Sequence, residues 1–305
     1  MRTFVLKICS MLFAFSFVAC ALQEASVLPV EAGPLRVAVT FYPNEYLVER
    51  IGADAVEVFC DVPSEADALF WVPSDEQLAC MHSADLIVLQ GTGLERWVER
   101  ADLPMSRVLV ATSQLAERAL QLEAGSSHSH GSGEKHVGGD IDPHIWLDPE
   151  NAKVQAATIR DRLCELMPED AEEFSARYAE LAGELDELSL ALRAISVRGE
   201  SLFASHPAYA YLTSRFGLKI ESFDFDPSQM PTPDELAELA AALNKSGATT
   251  MLWESEPLPA IAERLRSEFG LESLVFSPCE LLNNELRAAG ENYLSVQRAN
   301  VARLR

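Results

Sequence analysis

A single apolar stripe between about Glu169 and Ile195 constrains this chain more than any other feature. Phe174, Tyr178, Leu181, Leu185, Leu188, Leu192 and Ile195 recur at intervals of 4, 3, 4, 3, 4 and 3 residues, with mostly charged residues between them. That period marks one face of a continuous α-helix. At 1.5 Å per residue the helix is roughly 40 Å long, more than one small domain needs. It can therefore lie across two lobes and hold them at a set angle. A coiled-coil arm would use the same pattern over about four heptads.

On both sides of the stripe, short β-type runs alternate with helical patterns. Before it, strands are expected at Leu35–Thr40, Val56–Val62, Asp85–Gln90 and Arg107–Ala111. Helices are expected at Tyr42–Ile51, from an N-cap at Ser74 through Met81, at Leu94–Arg100 and at Ser113–Leu122. After it, the strands are Ser201–Ala204, Lys219–Phe223, Thr249–Trp253 and Ser273–Phe276. The helices there are Tyr209–Phe216, one opening at Pro231-Thr232-Pro233-Asp234 and running through Asn244, Leu258–Phe269 and Asn292–Leu304. Such alternation builds parallel β-α-β units. The expected fold class is α/β, with two lobes, each a parallel sheet flanked by helices, joined by one long rigid backbone helix. The expected boundaries are a signal peptide over 1–21, a tether over 22–34, a first lobe over 35–148, a helical linker over 149–198 and a second lobe over 199–305.

Charge excludes one function class. The net charge is −23, with 47 acids against 24 bases, whereas phosphate binding needs a basic footprint. No nucleic-acid partner is expected. An acidic surface concentrates cations, although solubility alone explains many of these acids. At the N-terminus, Arg2 and Lys7 precede an apolar run from Ile8 to Val18. The run is too short to span a bilayer and reads as a secretory signal. Phe17-Val18-Ala19-Cys20 resembles a lipoprotein cleavage site in which Cys20 becomes the lipidated first residue, and ordinary cleavage near Ala21 is the alternative. Four cysteines follow, Cys60, Cys80, Cys164 and Cys279, without a Cys-x-x-Cys, so a structural zinc knuckle is not expected. Disulfides and unpaired thiols both remain open.

Metal-ligating residues gather mid-chain. Four of the six histidines lie between positions 128 and 144. His128, His130 and His136 fall in a Gly/Ser-rich loop over 125–139, which reads as a metal-sampling loop or as a plain polar linker. His144 sits in Asp140-Ile141-Asp142-Pro143-His144-Ile145-Trp146-Leu147-Asp148-Pro149, where Pro143 and Pro149 restrict the backbone. Asp142 and Asp148 are near enough in sequence to orient an imidazole, and also suit a turn and a helix cap. Ligands of open parallel sheets bind beyond the carboxyl ends of the strands. The residues there include Glu65 and Asp67 after the second strand and His206 after the strand at 201–204. Glu254 and Glu256 follow the strand at 249–253, and Cys279 and Glu280 follow the last strand. His144 and His206 meet on one metal if the two halves face each other.

These stretches resemble the metal-binding substrate-binding lipoproteins of bacterial zinc and manganese ABC importers. The resemblance rests on Val37-Ala38-Val39-Thr40-Phe41-Tyr42-Pro43, Pro73-Ser74-Asp75, Ser83-Ala84-Asp85-Leu86-Ile87-Val88 and Gly93-Leu94-Glu95-Arg96-Trp97. It continues through Asp142 to Pro149, Ser205-His206-Pro207-Ala208-Tyr209 and Glu256-Pro257. It implies a two-lobed, non-enzymatic receptor, a monomer exported to the periplasm or the outer face of a membrane and anchored there by lipid. It also implies that the receptor captures a metal in its cleft and passes it to an ABC permease. The chain departs from the family in two places. The usual histidine after the second strand is absent, leaving Asp67 or Glu65, and the usual late aspartate is absent, leaving Glu280, Cys279 or Glu254. The expected ligand set is His144, His206, Asp67, Glu254 and Glu280. Two imidazoles with carboxylates favour Zn2+, with Mn2+ the alternative because a lost histidine shifts the site towards oxygen. Two other readings compete. An exported zinc hydrolase would need a catalytic set, but no His-Glu-x-x-His or Gly-x-Ser-x-Gly is present. An adhesin-like surface lipoprotein would share the fold.

Overall fold

The computed structural model describes residues 33–60, 62–63, 70–121, 141–196 and 199–305. The first lobe begins with β1 (Leu35–Val39), α1 (Tyr42–Gly52) and β2 (Val56–Cys60). It continues with α2 (Asp75–Ser83), β3 (Leu86–Leu89) and β4 (Val108–Val110). All pairings are parallel and the strand order is β2-β1-β3-β4. The inner strands β1 and β3 end in fully buried apolar runs, as expected when helices cover both faces. Ser74 caps α2 in a reciprocal capping box with Gln77, as its position predicts.

Two antiparallel-packed segments of helix follow, α3 (Pro149–Leu166) and α4 (Ala171–Ser196). The 26-residue α4 is the expected backbone helix, about 39 Å long at 1.5 Å per residue. It buries Phe174, Leu181, Leu185, Leu188, Leu192 and Ile195 of the predicted stripe, while Tyr178 packs against the core half-buried. The stripe belongs to one core that runs without a break from Val37 and Leu47 in the first lobe to Leu202, Leu212 and Tyr293 in the second. Arg50 and Glu184, 3.0 Å apart, tie α1 to the helix, and Lys153 pairs with Asp186 across α3 and α4.

The second lobe repeats the plan. Its elements are β5 (Ser201–Ala204), α5 (Ala210–Phe216), β6 (Lys219–Ser222), α6 (Pro233–Ser246) and β7 (Thr250–Trp253), then α7 (Pro259–Phe269), β8 (Glu272–Val275), α8 (Asn284–Ala288) and α9 (Tyr293–Arg303). The sheet is again parallel, in the order β6-β5-β7-β8. Each sheet therefore reverses direction beside its first strand, between β1 and β3 and between β5 and β7. Crevices for ligands open at such points.

The two crevices are filled differently. In the first lobe, Glu95 accepts from Thr40 Oγ1 at 2.6 Å, from the Gln90 amide at 2.7 Å and from the Gly91 amide at 3.0 Å. Asn44, Gln90 and Gln155 complete a buried network beneath it. Gly91 has φ 81°, and a Cβ there would stand 2.5 Å from Val110 Cγ1, so no side chain fits. The protein's own polar groups thus close this crevice. In the second lobe, the loops at the equivalent place carry His206 and Glu254.

Some elements differ from expectation. Of the expected helix Ser113–Leu122, the described part, 113–121, is not helical: turns lead into a short 3-10 segment, Ala116–Arg118, and Gln121 pairs with Ile141 in an antiparallel bridge. Leu115 packs with Ile145 and Tyr211, and the Leu120 amide donates to Tyr211 Oη at 3.0 Å. Those tertiary contacts override the local helical pattern. Leu94–Arg100 likewise reduces to a 3-10 segment, Arg96–Arg100. The four cysteines Cys60, Cys80, Cys164 and Cys279 are thiols.

Leu185 is 1% exposed and Leu190 on the same helix is 66% exposed. Leu185→Ala is expected to cost about 2–5 kcal/mol of stability, and Leu190→Ala only about 0.5 kcal/mol or less, both read by denaturant unfolding.

Candidate metal centre

His144 is fixed by its neighbours before anything binds it. The preceding Asp142 is fully buried, and its carboxylate accepts from the His144 amide at 2.9 Å and faces Nδ1 at 2.8 Å. Asp142 is anchored in turn: its amide donates to the Leu120 carbonyl at 2.8 Å, and its own carbonyl accepts from Tyr211 Oη at 2.9 Å. With Nδ1 committed to a carboxylate, the proton tautomer and the ring plane are set, and Nε2 is aimed away from Asp142. Downstream, Asp148 takes the helix-cap role. It caps α3 through the Glu150 amide at 3.0 Å and pairs with Arg215 of α5 at 2.8 Å.

Nε2 of His144 meets the Glu280 carboxylate at 3.0 Å. Glu280 comes from the loop between β8 and α8, and that loop is framed by hydrogen bonds from several elements. Tyr209 Oη donates to the Phe276 carbonyl at 2.6 Å, Asn300 to the Ser277 carbonyl at 2.8 Å, and Trp146 Nε1 to the Pro278 carbonyl at 2.8 Å. Cys279 then takes a left-handed conformation at φ 60°, unusual for a residue with a Cβ, which turns the chain so that Glu280 follows.

His206 arrives from the second lobe, just beyond β5. Its ring is buried and stands edge-on to His144, centroids 5.4 Å apart at 76°. Glu254, just beyond β7, brings a carboxylate oxygen to 3.8 Å from Nδ1 of His206. One donor atom from each of His144, His206 and Glu280 lies within 4.8 Å of the others. Ligands about 2.1 Å from a tetrahedral zinc ion are roughly 3.4 Å apart. The His144–Glu280 spacing, 3.0 Å, is already near that value, and the remaining donors lie within 4.8 Å.

Electrostatics also prepares the site. Burial alone would make the His144 imidazolium lose its proton more readily, but Asp142 and then Glu280 outweigh it and raise the pKa to about 10. A proton thus occupies Nε2 near neutrality, on the atom a metal would claim. Two buried histidines and a partly buried carboxylate can hold a divalent cation once that proton leaves.

The sequence-derived ligand set is therefore brought together in part. His144, His206 and Glu280 converge, and Glu254 lies beside His206 but outside the three-donor group. Asp67, Glu65, the loop histidines His128, His130 and His136, and Cys20 all lie outside the described residues. Cys279 is buried, burial pushes its thiol up to about 12, and it is not among the three donors that come together. Tyr211 and Trp146, which hold the two histidine-bearing and carboxylate-bearing loops in place, carry no sequence signal beyond their proximity to the motif.

Comparison with known proteins gives a consistent set of likenesses. The family profile described as the zinc-uptake complex component A, periplasmic, matches residues 37–305. The chain is 29% identical over 302 residues to the zinc-binding lipoprotein AdcA of Streptococcus pneumoniae, covering 96% of this chain and 59% of AdcA. It is 26% identical over 280 residues to the high-affinity zinc uptake system protein ZnuA of Bacillus subtilis, covering 89% of this chain and 86% of that protein. Among solved structures, the Zn(II)-bound ZnuA-like domain of S. pneumoniae AdcA superposes with a TM-score of 0.77 at 28% identity, over 89% of this chain and 98% of that one.

In the metal-free protein, the His144 ring is expected to remain protonated up to about pH 10. The folded pKa lies above the unfolded value of about 6.5, so this group's contribution to stability is complete below about pH 6.5. It is lost as pH rises through about 10. Ring resonances followed by NMR check this, and Asp142→Asn should move the transition towards the ordinary histidine range.

Proposed function

The chain belongs to the family of the periplasmic A component of zinc-uptake complexes, and from that membership we propose that it captures zinc in the cleft between its lobes and delivers it to an ABC permease. The observation that carries this reading is the convergence of His144, His206 and Glu280 from separate loops at the carboxyl ends of the second sheet and from the interlobe segment. Two imidazoles and a carboxylate match zinc's preference for nitrogen with borderline oxygen, whereas manganese favours more oxygens and binds such a set more weakly.

In this reading His144 ligates through Nε2 while Asp142 keeps Nδ1, and Glu280 moves from the His144 ring onto the ion. The fourth position goes to a carboxylate. Glu254 stands beside His206 and Asp67 follows β2 in sequence. The segment His128, His130 and His136 is proposed to sample metal weakly before capture. Export with a lipid anchor at Cys20 fits a protein that collects its cargo outside the membrane, and the monomer is the working unit. No helix of the described residues is long and apolar enough to cross a membrane. Binding without turnover is the activity proposed, since catalysis by a bound zinc would need an open position with a water and a general base.

The test is titration of the purified protein with zinc. One ion per chain is expected, and His144→Ala and His206→Ala should weaken it beyond the effect of Asp142→Asn, for which loss of an orienting partner costs about 10–100-fold. Unchanged affinity in both histidine variants would remove the basis of this assignment. Comparing Glu254→Ala with Asp67→Ala identifies the fourth donor as the one whose loss weakens binding. Because the ion displaces the His144 proton, affinity is expected to rise by about tenfold per pH unit between pH 6 and 8, with proton release visible as a buffer-dependent binding enthalpy.

A further inference from the structure

The loop that carries Glu280 is tied at both ends, and the second tie crosses to the first lobe. After Glu280 the chain runs through Leu281 and Leu282 into α8. Arg287 of α8 donates from Nε to the Leu282 carbonyl at 3.2 Å, back onto the loop. Its two terminal nitrogens donate to Glu45 Oε1 and Oε2 of α1, at 2.7 and 2.8 Å. The guanidinium also lies over the Tyr42 ring, 4.8 Å from its centroid, and Tyr42 Oη accepts from the Tyr293 amide at 3.1 Å. One planar cation therefore connects a point two residues after Glu280 with the first helix of the other lobe, 242 positions away in sequence.

The pair is built to hold and able to part. The Glu45 side chain is 9% exposed, so its charge needs the guanidinium, while that of Arg287 is 40% exposed. Both residues line a solvent-open chamber of about 390 Å³ with Tyr42, Leu281 and Leu282. Water can enter there and take over both charges without any part of the apolar core opening. A bidentate fork also fixes orientation, which a single ammonium contact would not.

We propose that Glu45 and Arg287 form a latch that positions Glu280, fixing the second half of its loop to α1 and setting how fast the cleft gives up its ion. Both are positioning residues that do not touch the metal. The proposal rests on the assignment of Glu280 as a ligand in the preceding section. Closed, the latch keeps the carboxylate beside His144 and His206. Parted, it frees α8 and the Glu280 side of the loop from the first lobe, and the ion keeps its two imidazoles but loses a firmly placed oxygen.

The experiment measures Zn2+ release from the loaded full chain to excess chelator in stopped flow, together with binding stoichiometry and the unfolding midpoint of the metal-free protein. Glu45→Gln, Arg287→Met, Arg287→Lys and the charge-exchanged double variant Glu45→Arg/Arg287→Glu are compared. Arg287→Lys keeps Glu45 neutralised and so keeps the fold if Arg287→Met does not. The single variants are expected to bind one ion and release it about tenfold faster or more, with Arg287→Lys intermediate and the exchanged pair slowed back towards the parent. Wild-type release from Arg287→Lys and Glu45→Gln, or an exchanged pair as fast as Arg287→Met, would overturn the latch. Glu280→Gln separates the two claims: wild-type zinc affinity in that variant sinks the ligand assignment itself, whereas weakened binding there with unchanged release in the latch variants sinks only the latch.

Discussion

The structure turns on the line Asp142–His144–Glu280, in which one buried imidazole is held between two carboxylates that come from different parts of the chain. Removing a histidine from water disfavours its charged form, and two acids reverse that preference. The result is a ring whose plane and protonation are both specified before a ligand arrives. It is also a contact between the interlobe segment and the last loop of the second lobe, so the geometry of the cleft and the charge state of His144 are one problem. In the proposed site a divalent cation replaces the proton on Nε2, adding one positive charge against the two carboxylates, and gains His206 as a further donor.

Two helices make this contact reproducible. The α3–α4 pair lies along a core shared by both lobes, and α3 starts five residues after His144, capped by Asp148 and pinned to α5 through Arg215. A hinge built from loops would let the lobes swing widely. A packed helix pair with continuous apolar contact allows small shifts and little else. In the proposed reading, capture and release in such a frame depend on local ties at the cleft rather than on large closure, which is where the Glu45–Arg287 pair acquires its interest.

Much of the architecture was legible in the sequence because it depends on period. The α4 stripe uses large apolar residues at regular spacing, and most of the eight strands among the described residues are short apolar runs bounded by turn residues. By contrast, α3 hides: its buried face includes Asn151, Ala152, Gln155, Ala156, Ile159 and Leu163, four of these six small or polar, so the stripe is faint. The segment 113–121 shows the opposite case, a helical pattern that Tyr211 and Ile145 pull into turns. At the site, His144 and His206 stood out because histidines are few and both follow strand or motif boundaries. Glu280 was one acid among several, and only the fold singles it out. The Glu45–Arg287 pair gives no signal at all, since nothing in one local stretch points to a partner 242 residues away.

The account is tested most directly by locating zinc in crystals of the loaded protein by anomalous scattering at the zinc edge. It predicts a single strong peak about 2.0–2.2 Å from His144 Nε2, a His206 ring nitrogen and a Glu280 oxygen, with Asp142 still bonded to Nδ1. A peak elsewhere, with Glu280 still hydrogen-bonded to the His144 ring, would contradict it.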